Sequence, residues 1–169
     1  ATLVHDDAID KSLVRRNRDT IYRLWGGEMA ILLGDFLFAR AGEMCTETGS
    51  LLAVRRFTQT LEIISTGEII QANSAFKLDQ HHEDYIKRIA YKTASLFALS
   101  TETGAILSDA PEDAVKALRD YGYNMGVAFQ LVDDVLDYTS TTEEMGKPIA
   151  SDLNQGTLTL PAMLLMEHY

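Results

Sequence analysis

Along most of this chain apolar residues recur every three or four positions, the spacing of a helix face turned toward a core. Residues 1 to 13 read as the end of a helix, and Arg15-Arg16-Asn17-Arg18-Asp19-Thr20 then breaks the periodicity as a basic loop. From Gly27 to about Met44 the sequence is apolar nearly all the way round, with Met29, Ile31, Leu33, Phe36 and Phe38. Such a helix is expected to be buried on most sides, inside a core or across a subunit interface. Thr48-Gly49-Ser50 separates it from a long helix over 51 to 76, with Ser50 as the cap. A turn around Lys77 to Gln80 leads into a third long run from about His82 to Leu107. Asp109-Ala110-Pro111-Glu112 ends that run and opens a helix over 112 to 139, with Pro at a tolerated early position. Thr141 to Gln155 reads as a short helical turn and a loop, and Leu160-Pro161-Ala162-Met163 starts a last apolar helical run. No stretch alternates with period two, and Ile63-Ile64 sit inside a helical pattern, so the fold class is all-α. Gly34, Gly67, Gly104, Gly122 and Gly126 fall within helical runs, each at a cost of roughly 1 kcal/mol relative to Ala. The expected offset is close approach of a neighbouring helix or a ligand.

Composition narrows the function classes. The 169 residues, 46% apolar, suffice for a single domain or a large piece of one, and we expect a single partial domain over 1–169. There are 25 acidic against 15 basic residues, a formal charge of −10, and no dense Lys/Arg cluster, which excludes a nucleic-acid partner. Asp35 and Arg40 interrupt the longest apolar run, so no transmembrane segment is expected. The lone Cys45 fits a reducing compartment, and the cytoplasm is the expected location. The first acidic motif begins five residues from the start and the last helix has no cap, so the sequence reads as a fragment of a longer chain.

The chemistry concentrates in two acidic clusters. In Phe129-Gln130-Leu131-Val132-Asp133-Asp134-Val135-Leu136-Asp137, the helical pitch gathers Asp133, Asp134 and Asp137 toward one side. Carboxylates crowded in this way repel, and an all-oxygen donor set suits a hard cation such as Mg²⁺. A single acidic helix face is often only a solvated surface. Here the spacing recurs as Asp6, Asp7 and Asp10, which argues against that reading. Arg15 and Arg16 follow the first cluster and are suited to clamp phosphate through their planar forks. Lys92-Thr93 stands among apolar residues, and Gln130 lies one turn before Asp134; each is a candidate ligand contact or a satisfied structural group. His5 beside Asp6 is reminiscent of metal-dependent phosphohydrolases, but His81-His82 are poorly placed to complete such a site.

Taken in order, His5-Asp6-Asp7-x-x-Asp10 with Arg15-Arg16, Gly34-Asp35-Phe36-Leu37, Gly67-Glu68-x-x-Gln71, Lys92-Thr93, Phe129-Gln130-x-x-Asp133-Asp134-x-x-Asp137 and Gly146-Lys147-Pro148 closely resemble the trans-isoprenyl (polyprenyl) diphosphate synthases. The resemblance runs the length of the chain and implies the isoprenoid synthase fold, a helical bundle around a central cavity, usually a homodimer. It implies Mg²⁺ as cofactor, held by Asp6, Asp7, Asp10, Asp133, Asp134 and Asp137. Isopentenyl diphosphate and an allylic diphosphate are the implied substrates. Arg15, Lys92 and Lys147 would contact the allylic diphosphate, Arg16 the isopentenyl diphosphate, Thr93 and Gln130 the reacting centre, and Phe129 the isopentenyl side. In this reading Asp6, Asp7, Asp10, Lys92 and Asp133 carry the catalysis. Ala1 and Thr2 stand where short-chain members place a bulky floor, so a product longer than farnesyl is expected. Two departures are visible: Asn17 where Gly is usual, and Thr157 where many members have Lys. A non-catalytic subunit of a heteromeric synthase and a class I terpene cyclase are the alternatives. The first commonly loses acidic motifs and the second replaces the second one, whereas both motifs are intact here.

Overall fold

The computed structural model describes residues 1–141 and 150–168. Its backbone is helical nearly throughout: α1 (Thr2–Ile9), α2 (Ile21–Glu47), α3 (Leu51–Ser74), α4 (His82–Ile89), α5 (Ser95–Leu107), α6 (Glu112–Thr139), α7 (Ser151–Asn154) and α8 (Leu160–His168). A π-helical turn, Ala90–Ala94, joins α4 to α5, so His82 to Leu107 is one continuous rod, as the periodicity predicts, with a widened turn in its middle. Ser50 caps α3 by accepting from the Ala53 amide at 3.2 Å, and Thr20 caps α2 by accepting from the Arg23 amide at 3.1 Å.

α5 lies along α6, α3 packs on α5 and on the π turn, and α1 packs on α2. Most of the buried apolar positions along these seams are small, Ala30, Ala53, Ala90, Ala94, Ala98 and Ala105, with the larger Ile64 and Leu99 beside them. Small side chains let helix axes approach closely, and the helical glycines extend the same device. A Cβ on Gly126 would stand 2.5 Å from the Ala94 Cα, and one on Gly67 would stand 3.0 Å from the Tyr91 Cβ. Gly34 and Gly122 are crowded in the same way, whereas nothing lies within 4 Å of Gly104. The close-approach expectation therefore fails at Gly104 alone among the five. Larger side chains gather in one cluster of Tyr85, Ile89, Leu158 and Met163, with Leu131 and Val127 against it. This cluster ties α4, α6 and α8 together beneath the acidic motifs.

Three expectations need correction. α1 ends at Ile9 rather than near residue 13, because Lys11 takes a positive φ of 52°. The basic segment is a small hairpin, Val14–Arg15 paired antiparallel with Arg18–Asp19, rather than an irregular loop. Its turn places Arg16 and Asn17 at φ of 52° and 59°, a left-handed conformation open to Gly and tolerated by Asn, which accounts for Asn17 where Gly is usual. The third concerns α2, where only Ala30 and Gly34 are buried while Trp25, Met29, Leu32 and Phe36 are exposed. Burial of α2 in the core of this chain is thus overturned. Among the described residues, no helix is long and apolar enough to cross a membrane.

Candidate active site

Asp6 on α1 and Asp10, the residue that caps its C-terminus, are one turn apart and point to the same side, toward Lys92 in the π turn and Glu68 on α3. Asp7, one residue on from Asp6, is 6% exposed and accepts a 2.7 Å hydrogen bond from the Arg15 Nε. The hairpin thus folds back on α1 to set an arginine against the first motif. Burial pushes the Asp6 carboxyl up to about 6, with Glu68 and Asp10 adding to the shift and Lys92 and Arg15 opposing it. Asp10 is raised for the same leading reason. Lys92 is half-buried and pairs with Glu68 at 2.9 Å. Burial alone would lower its pKa, but Glu68, Asp6 and Asp10 together carry it above its ordinary value, so the ammonium stays charged.

The second motif is built differently. Asp134 is 2% exposed, and both carboxylate oxygens are engaged: the Tyr85 hydroxyl donates to Oδ2 and the Gln130 Nε2 to Oδ1, each at 2.8 Å. The Thr93 hydroxyl donates to the Gln130 Oε1 at 2.7 Å, so a directed chain runs from Thr93 through Gln130 to Asp134. Burial holds the Asp134 carboxyl above the ordinary carboxylate range against the pull of these two donors, and it drives the Tyr85 phenol far up as well. Asp137 is fully buried and accepts from the Ser151 Oγ at 3.0 Å and from the Asp152 amide at 3.3 Å, fastening the end of α6 to the start of α7. Asp133 is half-buried beside Asp134.

Both motifs reach one cavity of about 100 Å³, walled by Asp10, Lys92, Thr93, Gln130 and Asp134. Gln71, Arg88, Asp152 and Thr157 complete much of the rest of the wall. Of the residues expected at a site, Asp6, Asp7, Arg15, Arg16, Phe129, Asp133 and Asp137 are not part of this wall; Arg16 is exposed and Phe129 packs at a 39° tilt on Phe97 with centroids 5.4 Å apart. Ala1 and Thr2 sit half-buried at the start of α1, and Lys147 lies outside the described residues. Three contributors, Glu68, Tyr85 and Arg88, were not singled out from the sequence as site residues. Glu68 was visible only as a motif letter, and Tyr85 becomes legible only once α4 is laid against α6.

Among the described residues no three metal-ligating side chains stand close enough to form a ready-made cage. A donor set of one or two carboxylates from each motif is what Mg²⁺ uses when substrate phosphates complete its octahedron. Asp6 and Asp10 fit that requirement on their own chemistry, because carboxylates held against their charged form by burial gain from a cation.

Known proteins place this arrangement. The family model for polyprenyl synthetase matches residues 1–169, and the chain belongs to that family. It is 41% identical over 167 residues to solanesyl diphosphate synthase 1, chloroplastic, of Arabidopsis thaliana, covering 99% of this chain and 41% of that protein. It is 44% identical over 163 residues to heptaprenyl diphosphate synthase component 2 of Geobacillus stearothermophilus, covering 96% and 51%. The polyprenyl synthase of Caulobacter crescentus, solved with calcium and isoprenyl diphosphate, superposes with a TM-score of 0.95 at 42% identity over 98% of this chain and 51% of that one. The fold is therefore the all-α isoprenoid synthase fold, and the chain spans about half the length of these relatives or somewhat less.

Proposed function

We propose that the chain carries the diphosphate-ionising part of a trans-polyprenyl diphosphate synthase. In this reading it condenses isopentenyl diphosphate with an allylic diphosphate, depends on Mg²⁺, and makes a product longer than farnesyl. The observation that carries this is the convergence of Asp10, Lys92 and Asp134, from two acidic motifs far apart in sequence, on one cavity. Asp6, Asp10 and Asp133 are the residues that would hold Mg²⁺, with Asp7 contributing once Arg15 releases it. Bound there, the metal would supply positive charge to a leaving diphosphate. Asp134 and Asp137, with their oxygens engaged inside the protein, orient their neighbours in this arrangement.

Lys92 and Arg15 place cations where charge develops as the allylic carbon–oxygen bond breaks and its electron pair passes to the diphosphate. Thr93 spends its hydrogen on Gln130, so its oxygen lone pairs remain to face the allylic cation. The double bond of isopentenyl diphosphate then attacks that cation, and loss of a proton restores a double bond five carbons further on. Arg16, Phe129 and Lys147 are assigned to the substrates by resemblance, and the small Ala1 and Thr2 leave the path of the growing chain open. The relatives named for solanesyl and heptaprenyl products support the longer chain. The single Cys45 supports a cytoplasmic setting. The exposed apolar face of α2 supports a homodimer. One specific observation favours a second arrangement: a relative at 44% identity is named as a component 2, which points to a heteromer.

The test is product analysis by mass spectrometry after the full-length protein is incubated with isopentenyl diphosphate, farnesyl diphosphate and Mg²⁺, beside Asp133→Ala. Elongated prenyl diphosphates that vanish in the variant are expected. Folded protein that elongates nothing would favour the partner-dependent subunit, and a cyclic hydrocarbon would overturn the reading in favour of a cyclase.

A further inference from the structure

The cavity wall holds two cations, Lys92 and Arg88, while Arg15 stands outside it against the first acidic motif, and the three are not treated alike. Arg15 contacts Asp7 at 2.7 Å and Lys92 contacts Glu68 at 2.9 Å, so each has a carboxylate to offset its burial. Arg88, on α4, is 4% exposed and the most deeply buried of the three, yet its hydrogen-bond acceptors are neutral. Its Nη2 donates to the Leu158 carbonyl and its Nη1 to the Gln80 Oε1 at 2.8 Å, and its guanidinium lies 5.7 Å from the centre of the Tyr85 ring. No carboxylate of the described residues lies within ion-pair distance of it; Asp134, Asp152 and Asp84 act on it only through the longer-range field.

A guanidinium does not discharge its cost by losing a proton, so burying it without a contact anion is expensive unless an anion arrives. Two of its five N–H donors have acceptors, and the residue lines the cavity next to Thr157 and Asp152. A divalent phosphate group offers oxygen acceptors to such a fork and the missing counter-charge with them. Through Leu158 the same side chain holds the segment that carries Thr157 and Thr159 into the wall, so an anion on Arg88 is gripped beside that segment.

We propose that Arg88 is a diphosphate-binding residue of this cavity, the cation that meets the anion from the α4 side while Lys92 meets it from the π turn. This rests on the reading of the cavity as a diphosphate site. The test is isothermal titration of the full-length protein with inorganic pyrophosphate in the presence of Mg²⁺. Wild type binds, and failure to bind would sink the reading of the cavity itself and this proposal with it.

With binding established, Arg88→Leu is expected to lose affinity about tenfold or more, the worth of one charge-assisted hydrogen-bonding group. Arg88→Gln removes the charge and the bond to Gln80 but keeps a polar amide donor at the same place in the wall. It is expected to lose affinity to a similar degree while remaining folded by its melting transition, which covers the case in which Arg88→Leu folds poorly. Adding Thr157→Lys to Arg88→Gln returns a cation to the same wall and is expected to restore most of the affinity. Wild-type affinity in Arg88→Gln would overturn the proposal. So would a loss that Thr157→Lys leaves unrepaired, since Arg88 would then be a tie between α4 and the 158 segment and nothing more.

Discussion

At the scale of single residues, the site is defined by groups held in a disfavoured ionisation state. Asp6 is raised to about 6 chiefly by burial, so in the absence of metal the folded chain binds a proton that the unfolded chain releases near pH 4. Between those two values the native state holds more protons than the unfolded state, and stability falls as pH rises through the window. Asp6→Asn removes that cost. The metal-free variant is expected to be more stable than wild type at pH 7, on the order of 1–3 kcal/mol, with the difference vanishing toward pH 4. Thermal melts across pH 4 to 7.5 read this directly, and an Asp6→Asn protein no more stable at pH 7 would contradict it. The same variant should lose the stabilisation that Mg²⁺ with pyrophosphate gives wild type. Glu68→Gln is expected to act in the opposite sense on Lys92: with its closest counter-charge gone, the buried ammonium loses its largest upward influence and its pKa falls. A rate profile of the full-length enzyme should then lose activity on its alkaline side at lower pH than wild type does, and an unmoved alkaline limb would leave Glu68 without a role in holding the charge. The aspartates, Lys92, Thr93 and Gln130 were legible because their types and spacings are unusual inside apolar helices. Tyr85 and Arg88 were not, since a tyrosine and an arginine on a short amphipathic helix look like ordinary surface until α6 and the 158 segment close over them.

At the scale of elements, the rod from His82 to Leu107 serves two neighbours at once. Adjacent residues of a helix diverge by about 100°, and Lys92 accordingly reaches Glu68 on α3 while Thr93 reaches Gln130 on α6. The π turn widens the backbone at that point, a distortion that recurs at functional sites. Periodicity predicts the rod and its ends but carries no mark of the inserted residue, so the distortion was illegible. The glycines were more informative. Gly126→Ala would drive a Cβ to 2.5 Å from the Ala94 backbone, and the α5–α6 seam must part to admit it. A loss of about 1–3 kcal/mol is expected, in the range of overpacking. Gly104→Ala meets nothing within 4 Å and should instead stabilise by about 0.5–1 kcal/mol, the helical preference of Ala. Denaturant midpoints of the pair decide the matter: if Gly126→Ala is as benign as Gly104→Ala, the seam is not as tight as its geometry.

At the scale of the whole molecule, the pattern of burial does not match the pattern of hydrophobicity. α2 reads from sequence as buried on most sides, but Trp25 is 63% and Phe36 59% exposed, with Met29, Ile31 and Leu32 also open to solvent. On α6 the outward residues include Met125, Phe129, Val132 and Val135. The periodicity marks these faces as apolar and is silent about what would cover them, because a helix carries no record of whether its partner is its own chain or another. Contiguous apolar patches of more than a few hundred Å² are rare on monomers that stay apart in solution. A polypeptide of residues 1–169 alone is therefore expected to bind the dye ANS strongly and to elute as an assembly on size exclusion with light scattering. Leu32→Asp with Phe36→Asp should lower both readings, since a charge at the centre of an apolar contact is costly to desolvate. In the full-length protein the same double substitution separates the two faces: a fall to half the mass with dye uptake rising would make α2 a contact between subunits, whereas an unchanged mass would assign its cover to the same chain. A wild-type 1–169 polypeptide that runs as a sharp monomer and takes up no dye would remove the premise for both.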